Sequence, residues 1–286
     1  ERLGEQHPSI QTQYLLRCMS DAGRLFSAEQ RAALAGTHPR QRGPVDGCVY
    51  VAGIDVAGED EQAEDAQARL LSPKRDSTVV TIAEVTRDAN GSAVARVVEH
   101  VWWTGRNQVW QFENLVQLWE RWCFARASVD ASGIGAGLAA FLEDRFAERV
   151  EKVIFTAPTK SQLAYRLLAM TNTRRISLYK EDRFLADGVP GGVEEPFDVG
   201  RPSVTGFGWD AGAACSPEAR EFWTEIRACR YWMRAAEQMG WGVPESEGHD
   251  DFVVSLALVC CAAEDLIPPA AGILIRSKPD HEQQEW

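Results

Sequence analysis

"CVYVAGIDVA" spans Cys48 to Ala57, and its reading decides the fold. It is an apolar run of strand length with one carboxylate, Asp55, set between Ile54 and Val56. A run of this kind reads as a buried strand. An ionised carboxylate inside it is costly unless a cation or a dense set of hydrogen-bond donors meets it. A structural aspartate satisfied at a strand end is the plain alternative.

Downstream, "STVVTIAEVT" (Ser77 to Thr86) and "ARVVEHVWWTG" (Ala95 to Gly105) read as two more strands. "DANG" turns between them, and Asn90-Gly91 is a strong hairpin signal. The three strands form an antiparallel meander. The pattern then alternates. "NQVWQFENLVQLWERWC" carries Val109, Phe112, Leu115, Val116 and Trp119 at helical spacing. "ARASVDAS" is a short strand, "GLAAFLEDRFAERV" a helix, "KVIFTAP" a strand and "SQLAYRLLAM" a helix. Such alternation implies parallel strands with crossover helices. The expected class is α/β: a mixed sheet of a three-strand meander plus parallel strands, flanked by helices. "EAREFWTEIRACRYWMRAAEQ" reads as one further helix, and the last long helix opens near Asp250.

Upstream, Ser27 and Gln30 make a capping box before "RAALAG", with the helix ending at Gly36, and "THPRQRGP" reads as a linker. Residues 1–45 are thus expected to be a helical and linker segment, and 46–267 the main domain. A Gly- and Pro-rich insertion interrupts it at about 183–217, and 268–286 is a polar, frayed tail.

Hydrophobic residues make up 45% and charged residues 25% of 286, an ordinary globular balance with length enough for a core. No apolar run is long enough to span a bilayer, and the opening "ERLGEQHPSIQ" has no pattern of a secretory signal. Seven cysteines without a CxxC read as small core residues in a reducing compartment, not as a zinc site. The net charge of −12 argues against a generic basic DNA coat. It leaves room for an enzyme that meets nucleic acid through metal ions and local basic patches. Much of the excess lies in "GEDEQAEDAQ" (Gly58 to Gln67), read as a solvated loop.

Two more carboxylate positions resemble that of Asp55. In "ASVDASGIGAG", Asp130 closes a short strand ahead of a glycine turn and a helix. That is the carboxyl end of a parallel strand, where open α/β sheets keep their sites. The glycines follow G-x-G-x-G, not the dinucleotide spacing, and no phosphate-loop motif occurs. In "GHDDFVVSLAL", Asp250 and Asp251 open an apolar helix. Capping and first-turn charge would account for them singly, and His249 reads as a packed or capping side chain. Together the carboxylates would repel strongly without cations. Hard divalent ions with oxygen ligands, Mg²⁺ or Mn²⁺, resolve that conflict. Two such ions can activate water and stabilise a leaving oxygen on phosphorus.

On "GIDVAG", "RDSTVVTI", "VDASGIGAGLAAFL" and above all "GHDDFVVSLAL", the chain resembles the nuclease domain of the large terminase subunit of tailed bacteriophages, in the ribonuclease H-like superfamily. The resemblance covers roughly residues 47–265. It implies an endonuclease that cuts concatemeric viral DNA during packaging. The family's metal-binding carboxylates carry over to Asp55, Asp130, Asp250 and Asp251, with two ions expected and the more direct ligand of the Asp250–Asp251 pair left open. Double-stranded DNA is the implied substrate. The portal protein, the small terminase subunit and the protein's own ATPase domain are the implied partners, without a membrane, in the host cytoplasm. No Walker A stretch is present, so the chain is expected to be the C-terminal part of a motor protein. A junction resolvase or transposase core would share fold and metals. A phosphate-binding module of the sugar-kinase type or a silent portal-binding module are the other readings.

Weaker candidates concern DNA contacts. Lys160 and Ser161 stand near a helix N-terminus suited to a phosphate, or serve a capping box from Thr159 to Gln162. Arg227, Arg230 and Arg234 recur at helical spacing, as a DNA-facing or, preferably, a solvated face.

Overall fold

The computed structural model describes residues 23–58, 77–180, 216–234, 238–264 and 266. The insertion up to residue 215, most of the acidic loop and the tail at 268–286 lie outside the described residues. The chain runs α1 (Ala28–Leu34), β1 (Ala35–Pro39), β2 (Val49–Asp55), β3 (Ser77–Arg87), β4 (Ala93–Thr104), α2 (Gln108–Trp122), β5 (Arg126–Asp130), α3 (Gly135–Phe146), β6 (Val150–Val153), α4 (Ala157–Asn172), β7 (Ile176–Lys180), α5 (Pro217–Ala228), β8 (Arg230–Met233), β9 (Met239–Gly242) and α6 (Asp251–Glu264).

One seven-stranded sheet has the order β1-β7-β4-β3-β2-β5-β6. β3 is antiparallel to both β2 and β4, which is the expected meander. Parallel strands extend it on both sides: β5 then β6 beyond β2, and β7 then β1 beyond β4. The period of two along β2 divides the core. Tyr50, Ala52 and Ile54 pack with Leu115, Trp119 and Trp122 of α2 and Leu138 and Leu142 of α3. Val51 faces the other way, into a layer built from α4, α5 and α6. Gly53 and Asp55 share the Val51 face by the same alternation.

α6 is apolar all round, and every residue from Phe252 to Ala263 is buried. Such a helix must be covered on all sides. Gly53 lets it approach. A Cβ there would stand 2.5 Å from the Val259 nitrogen and closer still to the Ser255 carbonyl oxygen, both backbone atoms of α6. Thr81 of β3 and Ser255 of α6 add a buried hydroxyl pair at 2.6 Å. The helix is thus laid on β2 and β3 with its first residues level with the end of β2.

Three local expectations are corrected. The long helix over "EAREFWTEIRACRYWMRAAEQ" stops at Ala228, and Arg230–Met233 pairs antiparallel with Met239–Gly242. "THP", read as the start of a linker, belongs to β1, which pairs with β7. Its parallel edge pairing comes from tertiary contact, which local propensity does not encode. On α2, Val109 is 69% exposed and Gln111 turns inward instead. The Ser27–Gln30 capping box is present, although its helix ends at Leu34. Cys229, Cys260 and Cys261 are buried free thiols, whereas Cys123 is exposed at the left-handed C-cap of α2. No helix among the described residues is long and apolar enough to cross a membrane.

Candidate active site

β2 and β5 are parallel neighbours with Ile54 opposite Val129, so Asp55 and Asp130 end side by side at one sheet edge. The start of α6 brings Asp250 and Asp251 to the same place. The four carboxylates line one cavity of about 220 Å³, together with Val56, Ala57, Ser77, Phe155, Lys160 and Val254.

Each wall of this cavity has its own anchor. Asp251 Oδ2 accepts the Ser77 N–H at 2.8 Å, which ties α6 to the first residue of β3. Asp130 Oδ1 accepts the Ser132 N–H at 2.8 Å, and Ser132 Oγ accepts the Phe155 N–H at 2.7 Å. Behind them, Gly135 starts α3 so close to the Asp130 carbonyl oxygen that a Cβ would clash, which is what the glycine turn is for. Asp250 Oδ2 lies 3.6 Å from Lys160 Nζ. The Lys160 ammonium sits over the Trp241 ring at 5.1 Å, and Trp241 Nε1 donates to the Lys160 carbonyl at 2.7 Å. The exit of β2 is held by a ring of bonds. The Ala57 N–H donates to Thr78 Oγ1 at 3.0 Å, the Thr78 hydroxyl donates to Gln111 Oε1 at 2.7 Å, and Gln111 Nε2 donates back to the Ala57 carbonyl at 3.3 Å.

Burial pushes the Asp55 carboxyl well above the usual carboxylate range, and the charges of Asp251, Asp130 and Asp250 push it further. Lys160 opposes that shift. Asp130 is raised by burial, against the pull of its Ser132 bonds and of Lys160. Desolvation and like-charge repulsion thus act together on Asp55, and desolvation alone raises Asp130.

The donor set suits a hard divalent ion: carboxylate oxygens from three elements, with no thiol or imidazole in the lining. Among the described residues, however, no three His, Cys, Asp or Glu side chains are gathered into a ready-made ion-binding group. The carboxylates converge on one cavity but stand apart within it.

The DNA-contact candidates separate. Lys160 belongs to the cavity. Ser161 is buried, and its hydroxyl accepts the Met239 N–H at 2.9 Å, so it holds β9 and does not face solvent. The capping box of α4 runs from Thr156 to Thr159, not from Thr159 to Gln162. Arg227 is exposed on α5, while Arg230 lies on β8 and pairs with Glu247 at 2.6 Å. They share no helical face.

Three side chains escaped the sequence reading: Gln111, Thr78 and Glu225. Glu225 Oε2 accepts the N–H groups of Phe252 and Val253 at 2.8 and 3.1 Å. A polar residue at an inward helical position was the available signal for Gln111 and Glu225.

Comparison with solved structures agrees with this architecture. The large terminase nuclease from thermophilic phage G20c with bound magnesium superposes with a TM-score of 0.53 at 16% identity, over 84% of this chain and 97% of that one. The chain has the fold of a phage large terminase nuclease. Two further structures of the G20c nuclease, one of them with bound cobalt, each give a TM-score of 0.50 at 16% identity, over 83% and 84% of this chain and 97% of those. No family model and no curated protein sequence matches the chain.

Proposed function

We propose that the chain is the nuclease part of a phage large terminase, a divalent-metal endonuclease acting on double-stranded DNA during genome packaging. The carrying observation is the convergence of Asp55, Asp130, Asp250 and Asp251 on one cavity, with Asp55 desolvated and facing like charge. The similar G20c nuclease was solved with magnesium and with cobalt, which supports a divalent ion here. Mg²⁺ or Mn²⁺, in a pair, is the expected cofactor. When bound, such ions activate water and stabilise the leaving oxygen on phosphorus.

The chain's own residues set the frame for that chemistry. Asp55 and Asp130, on adjacent strands, give a rigid floor of oxygen donors. Asp251 is oriented by the Ser77 N–H. Asp250 pairs with Lys160, whose ammonium lines the cavity where an incoming phosphate would meet it. Glycine turns and the Gln111 ring keep the strand exits from drifting. The portal protein, the small terminase subunit and an ATPase domain are the partners this reading implies, in the host cytoplasm.

The test is incubation of the purified chain with supercoiled plasmid. Nicking and linearisation with Mn²⁺ or Mg²⁺, abolished by chelator and showing little sequence preference, is the expected outcome. No cleavage with either ion at low salt between about pH 7 and pH 9, well above the ordinary carboxylate range, defeats the reading.

A further inference from the structure

We propose that Glu225, on α5, is the positioning residue of the carboxylate centre: it caps α6 from outside and so leaves Asp250 and Asp251 to the cavity. The inference rests on the nuclease reading above. The first N–H groups of a helix have no partner within it. Where an aspartate opens a helix, its own side chain ordinarily folds back to accept from the second or third helical residue. In α6 those residues are Phe252 and Val253, and both donate to Glu225 Oε2 instead. Asp250 points to Lys160 and Asp251 to the Ser77 N–H.

Glu225 is 2% exposed, between Phe222 and Ile226, which sit in the same core layer as Phe252. Among the described residues no lysine or arginine pairs with it, so its compensation is the two N–H bonds and the positive end of the helix. A carboxylate buried on these terms is costly. Its position has a clear consequence: it reaches two α6 donors that would otherwise compete with a metal ion for the aspartates. Without it, Asp250 and Asp251 are the adjacent acceptors, and either one turning inward withdraws an oxygen from the cavity.

The experiment compares the chain with its Glu225→Ala and Glu225→Gln variants. Mn²⁺ binding is read by calorimetry, the Mn²⁺ concentration for half-maximal plasmid cleavage by gel, and the melting temperature in chelator. Ala should weaken Mn²⁺ binding and raise the half-maximal concentration about tenfold or more, the range for groups that orient metal ligands. Gln should restore most of both, because its amide oxygen accepts the same two bonds. A merely structural role would lower the melting temperature and leave the metal response unchanged in the folded fraction, and that result overturns the proposal. A Gln variant as impaired in metal response as Ala also overturns it, since charge and not capping would then matter. If Ala does not fold, Gln decides alone: a parent-like metal response supports the proposal and an impaired one ends it. Failure of the parent to cleave counts against the nuclease reading, whereas an Ala variant that folds and matches an active parent counts against Glu225 only.

Discussion

At the scale of single residues, the question posed by the sequence was why two aspartates stand at the mouth of a buried helix. Capping would have needed one of them. The structure gives that duty to Glu225, so neither aspartate is spent on it. This sharpens a test that sequence alone could pose but not weight. Asn caps helices as well as Asp does, so Asp250→Asn would be silent if Asp250 were a cap. With Asp250 facing Lys160 in the cavity, Asp250→Asn should instead reduce plasmid cleavage at least about tenfold, and Asp55→Asn, Asp130→Asn and Asp251→Asn about a hundredfold or more. Parent-like rates for both Asp250→Asn and Asp251→Asn would move the active site elsewhere. The aspartates were readable because a charge in an apolar run is conspicuous. Glu225 and Gln111 left a fainter signal, a polar residue at an inward helical position, and each sits in a helix with ordinary polar neighbours.

Elements were readable where periodicity and burial coincide. β2 to β4 and the α2–β5–α3–β6–α4 alternation follow the pattern because each presents whole faces to a core layer. The errors fall where tertiary pairing overrides local pattern. Arg227, Arg230 and Arg234 matched a helical period by coincidence, yet "RYWM" is pulled into β8 by Met239–Gly242. The "DANG" turn, by contrast, is in place between β3 and β4, with the Gly91 N–H donating to the Asp88 carbonyl at 3.0 Å and Asp88 Oδ1 accepting the N–H groups of Asn90 and Ser92 at 2.9 Å each. Gly53 shows how one residue couples two elements. It reads as a weak point in a strand, but it is the contact that seats α6. Gly53→Ala should therefore push α6 off β2, costing about 1–3 kcal/mol in denaturant unfolding. Plasmid cleavage should fall with it, because Asp250 and Asp251 ride on the displaced end. Unchanged midpoint and unchanged cleavage would mean that α6 is not held by this contact.

At the scale of the whole molecule, folding gathers negative charge that the unfolded chain keeps dispersed, within a net charge of −12. The raised carboxyls fix the sign of the pH dependence. Asp55, Asp130 and Glu225 all hold their protons more tightly when folded than when unfolded. Above the unfolded value of about 4, the native state then binds more protons than the unfolded one, and stability falls as pH rises until the folded groups have ionised. In chelator, the melting temperature should accordingly drop as pH rises above the unfolded carboxylate value of about 4. Asp55→Asn should flatten that drop and raise the melting temperature at the upper end, because it removes both a desolvated charge and its repulsion of Asp251 and Asp130. Millimolar Mn²⁺ should act in the opposite direction from pH. It binds the ionised carboxylates of the native state, so its stabilisation should grow from pH 5 to pH 8 and follow the logarithm of concentration above the dissociation constant. Scanning calorimetry of parent and Asp55→Asn in chelator and across a Mn²⁺ series reads all three effects. A parent whose melting temperature rises with pH in chelator, or does not respond to Mn²⁺ at the alkaline end, would show that these carboxylates neither repel in the native state nor share an ion.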